Sequence, residues 1–444
     1  MTLASFRFDL GLDLFPMLAV TLAALCCGVL GNFLVLRRLS LMGDAISHSV
    51  LPGLVIAFLI TTSRSPAVMM LGAAAAGVAT VVLVELVKKL GRVEPGAAMG
   101  VVFSVLFALG VLLIERAAVR HVDLDADCVL HGQLETLAWY GAPESVGELL
   151  RWSTLSAVPM PIITLLLMCA IAGVFVVLFF KELRLAAFDP ELATSQGFNA
   201  TLMHYMLMVL VAGATVASFE AVGSILVIAM LICPAATARL LTDRLGSQIG
   251  VSLGIALLAG IGGYIAAAAV PDLFGKEAVN AAGSVTVFSG LLLVAAIVAS
   301  PRYGVISRLV RRRRLAVRVA IDDLLASMHR AGESGTHELD VSRLRQELVG
   351  RPSRAAIARA VRRGLLDRTR TTVRLTDKGR VRAADVVRRH RLWEHYLVDR
   401  AGLAEDHVHA VAEQLEHFHA QPPTGPLHDP HGRIIPTVDD PDRG

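Results

Sequence analysis

Charge is scarce in this chain. Asp, Glu, Lys and Arg make up 18% of its 444 residues and apolar types 55%, against about 25% and 45–50% in a soluble globular protein. That balance excludes a disordered chain, a coiled coil and an ordinary soluble enzyme. Cysteine is scarce too. The five are Cys26, Cys27, Cys128, Cys169 and Cys233, and no pair has CxxC spacing. Neither a disulfide framework nor a thiolate zinc finger is expected. No GxxxxGK[ST] occurs, so the chain has no Walker-type phosphate loop. The opening residues, MTLASFRFDLGLDLF, lack the charged n-region and small-residue cleavage site of a signal peptide.

What charge there is lies at one end. Residues 302–444 hold 27 of the 42 Lys and Arg, 19 of the 38 Asp and Glu and 10 of the 14 His. An apolar, slightly acidic part therefore precedes a polar, basic, His-rich one: a membrane domain followed by a soluble domain. Spanning a bilayer takes roughly 20 apolar residues. Such stretches are expected at 14–36, 41–61, 66–88, 96–114, 156–180, 203–218, 221–241, 247–270 and 279–300. Basic residues follow every odd-numbered span: Arg37 and Arg38, then Lys88, Lys89 and Arg92, then Lys181 and Arg184, then Arg239 and Arg244, then Arg302 and Arg308. Since cytoplasmic loops collect Lys and Arg, nine spans with the N-terminus outside and the C-terminus inside fit. Gly and Ala are dense in LGAAAAGVATVV and GIALLAGIGGYIAAAA, as close helix packing in lipid requires.

Polar residues within the apolar runs carry the information. Asp44 and His48 in GDAISHSVLPG are four apart and share one helix face. Carboxylate plus imidazole suits a divalent transition metal; a polar contact between helices is the plainer role. Pro52-Gly53 is expected to break this helix, as in many transporters. Glu220 reads as part of a short external turn, with a gate as the sharper alternative. The external loop 115–155 carries His121, Asp123, Asp125, Asp127, Cys128 and His131 without the spacing of a defined site. In KELRLAAFDPELATSQGFNA, Asp189 is an N-cap, Pro190 the first helical residue, Glu191 its neighbour and Gly197 the stop. This short cytoplasmic helix either docks on a soluble partner or merely joins two spans.

Residues 302–318 form a basic linker suited to anionic headgroups and to the positive-inside rule. From 319 to 380, helices and then a β-rich stretch with a cap at Thr376 or Asp377 suggest a winged helix, whose Arg354, Arg359, Arg362 and Arg363 are placed to meet phosphates. From 381 to 436, His390 and Glu394 are four apart, and His409, Glu413, Glu416 and His417 stand at i, i+4, i+7 and i+8. Each set lines one helix face. Imidazole and carboxylate without thiolate suit manganese, iron or zinc; a solvated His- and Glu-rich face is the alternative. The end, 437–444, reads as a disordered tail.

GDAISHSVLPG, FDPELATSQGFN and EAVGSILVIAMLICPAATARLL, in that order, resemble the metal-importing ABC permeases for manganese, zinc and iron over residues 10–300. The resemblance implies import powered by a separate ATPase subunit, metal delivery by an external binding protein, a second permease subunit, and coupling to the ATPase through the segment with Asp189, Pro190, Glu191 and Gly197. It also implies that Asp44 and His48 are metal ligands in the pathway. HRLWEHYLVDRAGLAEDHVHAVAEQLEHF, with LTDKGR before it and DPHGRIIP after it, resembles the DtxR/MntR-type metal-dependent repressors over 320–436. That resemblance places regulatory metal ligands at His390, Glu394, His409, Glu413, Glu416 and His417, and a further one at Asp323. The next carboxylate of the repressor pattern falls on Ala326, a departure that touches a two-metal site.

The sequence thus reads as an all-α polytopic permease domain, 1–301, carrying a cytoplasmic metal-sensing domain. Its cargo is a divalent manganese, zinc or iron ion, with manganese first, and its location the cytoplasmic membrane. It is not expected to be an enzyme itself. Nucleic acid is not expected as a partner, since a tethered domain hardly scans a chromosome. Two rivals stand: a membrane-tethered metal-dependent transcription regulator, and an ion-coupled secondary transporter.

Overall fold

A computed structural model describes residues 9, 11–62, 65–118, 134, 137, 158–272, 279–342, 353–404, 406–415, 417 and 428–436. It divides into two compact units between Ile306 and Ser307. The first holds α1 (Leu14–Leu36), α2 (Met42–Thr61), α3 (Pro66–Gly91), α4 (Pro95–Ala118), α5 (Met160–Leu178), the short α6 (Phe180–Phe188) and α7 (Pro190–Ser195), then α8 (Ala200–Val222), α9 (Ser224–Leu241), α10 (Leu245–Asp272) and α11 (Ala281–Ala299). Among the described residues, nine helices are long and apolar enough to cross a membrane. They correspond one for one to the expected spans. The chain is a multi-pass membrane protein.

Its core lies around α1, which packs on α5, α8, α9 and α10. Cys26, Cys27, Leu30 and Phe33 are fully buried there with Met230 and Leu226. Small residues set the closest approaches. A Cβ on Gly31 would collide with the Leu231 carbonyl of α9, and one on Gly53 with the Gly72 carbonyl of α3. Backbone cannot give way as a side chain can, so Gly31→Ala is expected to destabilise the bundle by about 1–3 kcal/mol. The check is the unfolding midpoint in detergent: an unchanged midpoint means that α1 and α9 separate freely.

Two local expectations are corrected. Helix α2 runs unbroken through Pro52, because neighbouring helices in a membrane bundle can support a helix past proline; here α4 comes in so closely that a Cβ on Gly110 would meet the proline ring. Glu220 lies on the last turn of α8, and not in a turn between spans. The break falls instead at Gly223, whose φ of 78° favours glycine, and α9 starts at the next residue.

The second unit begins within α12 (Val305–Glu333), so most of the stretch read as a linker is helical. Then follow β1 (Glu338–Asp340), α13 (Ser353–Arg362), β2 (Leu366–Arg368), β3 (Thr372–Leu375), α14 (Asp377–Asp399) and α15 (Val408–Leu415). The sheet has the order β1-β3-β2, antiparallel throughout, with Leu339 opposite Val373 and Leu366 opposite Leu375. Strand β1 was not foreseen in the sequence. Thr376 supplies the cap of α14, accepting from the Gly379 amide at 3.0 Å. Ile321, Leu324, Leu325, Ile357 and Val373 form the core.

Candidate metal sites

Asp44 occupies the first turn of α2, where the helix dipole favours a carboxylate. His48 stands one turn on, its Nε2 3.3 Å from Asp44 Oδ1. The pair is partly exposed, 38% for Asp44 and 24% for His48. Phe103 and Phe107 of α4 wall the imidazole, with ring centroids 5.0 and 5.6 Å away. The two donors therefore sit together at an open edge, held by aromatic packing. Among the described residues, no further His, Cys or carboxylate completes a set of three there.

The segment after α6 folds as its residues dictate. Asp189 Oδ1 accepts from the Leu192 amide at 2.9 Å, and Pro190 opens α7. Gly197 stops it with φ 87°. Fully buried Ala193 anchors the helix, while Phe188, Glu191 and Leu192 stay exposed. The helix is anchored on one side and presents an acidic and apolar outer face.

The strongest cluster lies in the second unit. His390 and Glu394 meet across one turn of α14, Nε2 to Oε1 at 3.0 Å. His409, on the first turn of α15, brings Nδ1 to 2.8 Å from the same carboxylate oxygen and 3.0 Å from His390 Nε2. Three donor atoms thus converge on one point, with His390 and Glu394 buried. Burial pushes the Glu394 carboxyl up, but the two imidazoles outweigh it and hold the group at about 2. A buried carboxylate facing two imidazoles fits a divalent cation, and these three residues would hold one.

The remaining expected ligands divide. His417 Nε2 lies 3.1 Å from Asp323 Oδ1 of α12, both mostly buried. His409 and His417, expected on one helix face, therefore serve separate groups. Glu413 stands on α15 outside the three-donor cluster. Glu416 lies outside the described residues, as do the loop histidines and carboxylates from His121 to His131 and the tail from 437. Ala326, where the repressor pattern has a carboxylate, packs into an apolar cluster with Val386 and Val387. Arg354, Arg359, Arg362 and Arg363 are all exposed.

Two polar networks had no sequence signal beyond isolated charges. Arg37 bonds His204, which bonds Glu85, so the ends of α1, α8 and α3 are joined. In the second unit, Arg391 is only 3% exposed. It pairs with Glu333 at 2.8 Å and Asp429 at 3.7 Å and donates to the Ile434 carbonyl.

A bundle of helices long and apolar enough to cross a membrane, with a carboxylate–imidazole pair on α2, precedes a unit holding a three-donor His and Glu cluster: the chain has the build of a polytopic membrane protein with an appended second domain. The chain matches the "ABC 3 transport family" over residues 14–139 and 146–302. It belongs to that family. Residues 376–422 match "Iron dependent repressor, metal binding and dimerisation domain". Among its relatives, the zinc transport system membrane protein TroD of Treponema pallidum is 35% identical over 369 residues, 82% of this chain and 95% of the relative. The manganese transport system membrane protein MntD of Bacillus subtilis is 37% identical over 295 residues, 65% of this chain and 92% of the relative. Among solved structures, PsaBC from Streptococcus pneumoniae in complex with Fab aligns with a TM-score of 0.51 and 26% identity, over 65% of this chain and 92% of that one.

Proposed function

We propose that this chain is the transmembrane subunit of an ATP-driven importer of a divalent transition metal, manganese first and zinc or iron next, in the cytoplasmic membrane. The observation that carries this is the Asp44–His48 contact on α2, in a chain of the ABC 3 transport family whose relatives are named for manganese and zinc transport. One copy offers two donors. A second permease subunit would bring more, toward the four or more ligands that these ions take. The N-terminus outside and the C-terminus inside put α7 on the cytoplasmic side. There its exposed Glu191 and Leu192 meet a separate ATPase, with Asp189, Pro190 and Gly197 fixing the helix. An external binding protein delivers the metal. The test is metal uptake into vesicles holding the permease and its ATPase. Uptake that needs ATP hydrolysis is expected; uptake that persists without the ATPase marks an ion-coupled transporter.

The second unit supports a sensing role. Its three-donor cluster of His390, Glu394 and His409 has two buried members and one exposed one, and the helices α12 and α13 with the β2–β3 hairpin read as a winged helix. The Asp323–His417 pair is a second candidate group, to which the repressor resemblance would add Glu413 and Glu416. Metal bound here reports the cytosolic level and slows uptake. Such feedback requires the inhibited state to bind metal more tightly; about 1.4 kcal/mol of coupling gives tenfold inhibition. Dimerisation through this unit would also hold two permease copies together, in keeping with the description of the matched domain.

A further inference from the structure

A cleft of about 470 Å³ opens where α1, α3 and α8 end beside α6 and α7. Arg37, Arg38, Lys88 and Lys89 line it with His204, and no carboxylate does among the described residues. The charges around it do not cancel. Glu85 accepts from Lys88 at 3.0 Å and from His204 Nε2 at 3.1 Å. The other ring nitrogen of His204 therefore accepts from Arg37 Nη1, at 2.8 Å. One carboxylate thus serves Lys88 and the imidazole, and none among the described residues reaches Arg37. The Nε and Nη2 atoms of Arg37 are buried without a hydrogen-bond partner among the described residues. Buried donors are nearly always paired, and an unpaired buried charge is costly. Arg38 and Lys89 add two further cations.

We propose that this cleft binds the phosphate group of an anionic membrane lipid. A guanidinium presents a fork that matches phosphate oxygens, and Arg37, half-buried in the cleft lining, keeps its Nε and Nη2 without a partner among the described residues. The walls argue for a lipid. Leu36, Leu39, Ala186 and Ala187 line the cleft together with the cations, so apolar walls stand beside the basic ones. Basic pockets between membrane helices take headgroups in this way. Pro190, the first residue of α7, also lines the cleft. A bound headgroup would therefore touch the segment proposed to meet the ATPase, and this last consequence alone rests on that proposal.

The test is native mass spectrometry of the full chain given equal phosphatidylglycerol and phosphatidylcholine. Wild type is expected to retain phosphatidylglycerol about tenfold more than phosphatidylcholine. Arg38→Gln with Lys89→Gln, which leaves the Glu85 network intact, is expected to lose that preference at an unchanged unfolding midpoint. Arg37→Gln is expected to do the same. Equal retention by wild type and the double variant overturns the proposal, as does equal retention of the two lipids. Displacement of phosphatidylglycerol by millimolar inorganic phosphate would assign the cleft to a soluble anion instead. Carbodiimide cross-linking of Lys89 to a carboxylate of the ATPase, with lipid lost, would assign it to a protein contact.

Discussion

Asp44→Asn and His48→Ala are each expected to abolish ATP-driven metal uptake while leaving the bundle assembled. The two side chains are partly exposed at the edge of α2, and their mutual contact at 3.3 Å is the main polar bond of the pair. Losing it costs little stability, since exposed ion pairs contribute about 0–1 kcal/mol. Losing a direct metal donor costs far more. Even supporting partners of metal ligands are worth 10–100-fold in affinity or activity, so a direct donor should cost at least about 100-fold in initial uptake. The measurement is radiolabelled manganese entry into vesicles, with the ATPase activity of the complex followed in parallel. Uptake within a few-fold of wild type for both variants would reduce Asp44 and His48 to a contact between helices.

His390→Ala combined with His409→Ala is expected to remove metal-induced stabilisation of the second unit in the full chain. A ligand at a hundred times its Kd stabilises by about 2.7 kcal/mol, so the wild type should show a clear rise in unfolding midpoint on adding manganese, and the double variant none. Acid acts on this cluster twice. Metal ligands must be free of protons, so affinity falls in acid. The metal-free protein responds lower down. Glu394 has its folded value depressed to about 2 from the ordinary 4.5. Its contribution is therefore complete above pH 4.5 and lost as the pH falls toward 2. With chelator present, the stability difference between wild type and Glu394→Gln should be flat near neutrality and shrink across that acid range. A difference that does not change with pH would mean that the carboxylate is not charged in the fold.

Much of this was legible from residue order because the relevant signals are local. A span is a run of apolar residues, and the nine runs became nine helices. Contacts within a helix follow from spacing: Asp44 with His48, and His390 with Glu394, are both one turn apart. The Asp189 cap and the Gly197 stop are equally local. Tertiary meetings have no such signature. Nothing in the spacing pairs His409 with Glu394, or His417 with Asp323 more than ninety positions earlier. The Arg37–His204–Glu85 chain joins three spans and showed in the sequence only as three ionisable residues near span ends. Strand β1 is three residues long and exists through its pairing with β3, so no periodicity announced it.

Arg391 carries a consequence for anyone who shortens or tags this protein. Its guanidinium is held both by Glu333 at the end of α12 and by the 428–436 segment, which closes on itself through the His428–Ile434 bridge. His390 is its neighbour in the chain. Deleting the segment beyond α15 would take the Ile434 carbonyl and the Asp429 carboxylate from Arg391, leaving it Glu333 alone, and would slacken the turn that aims His390. Such a shortened chain would lose metal for mechanical reasons and imitate a ligand variant. Single-residue changes within the cluster are the cleaner way to silence it, and a reporter fused at the C-terminus needs a spacer that leaves this brace undisturbed.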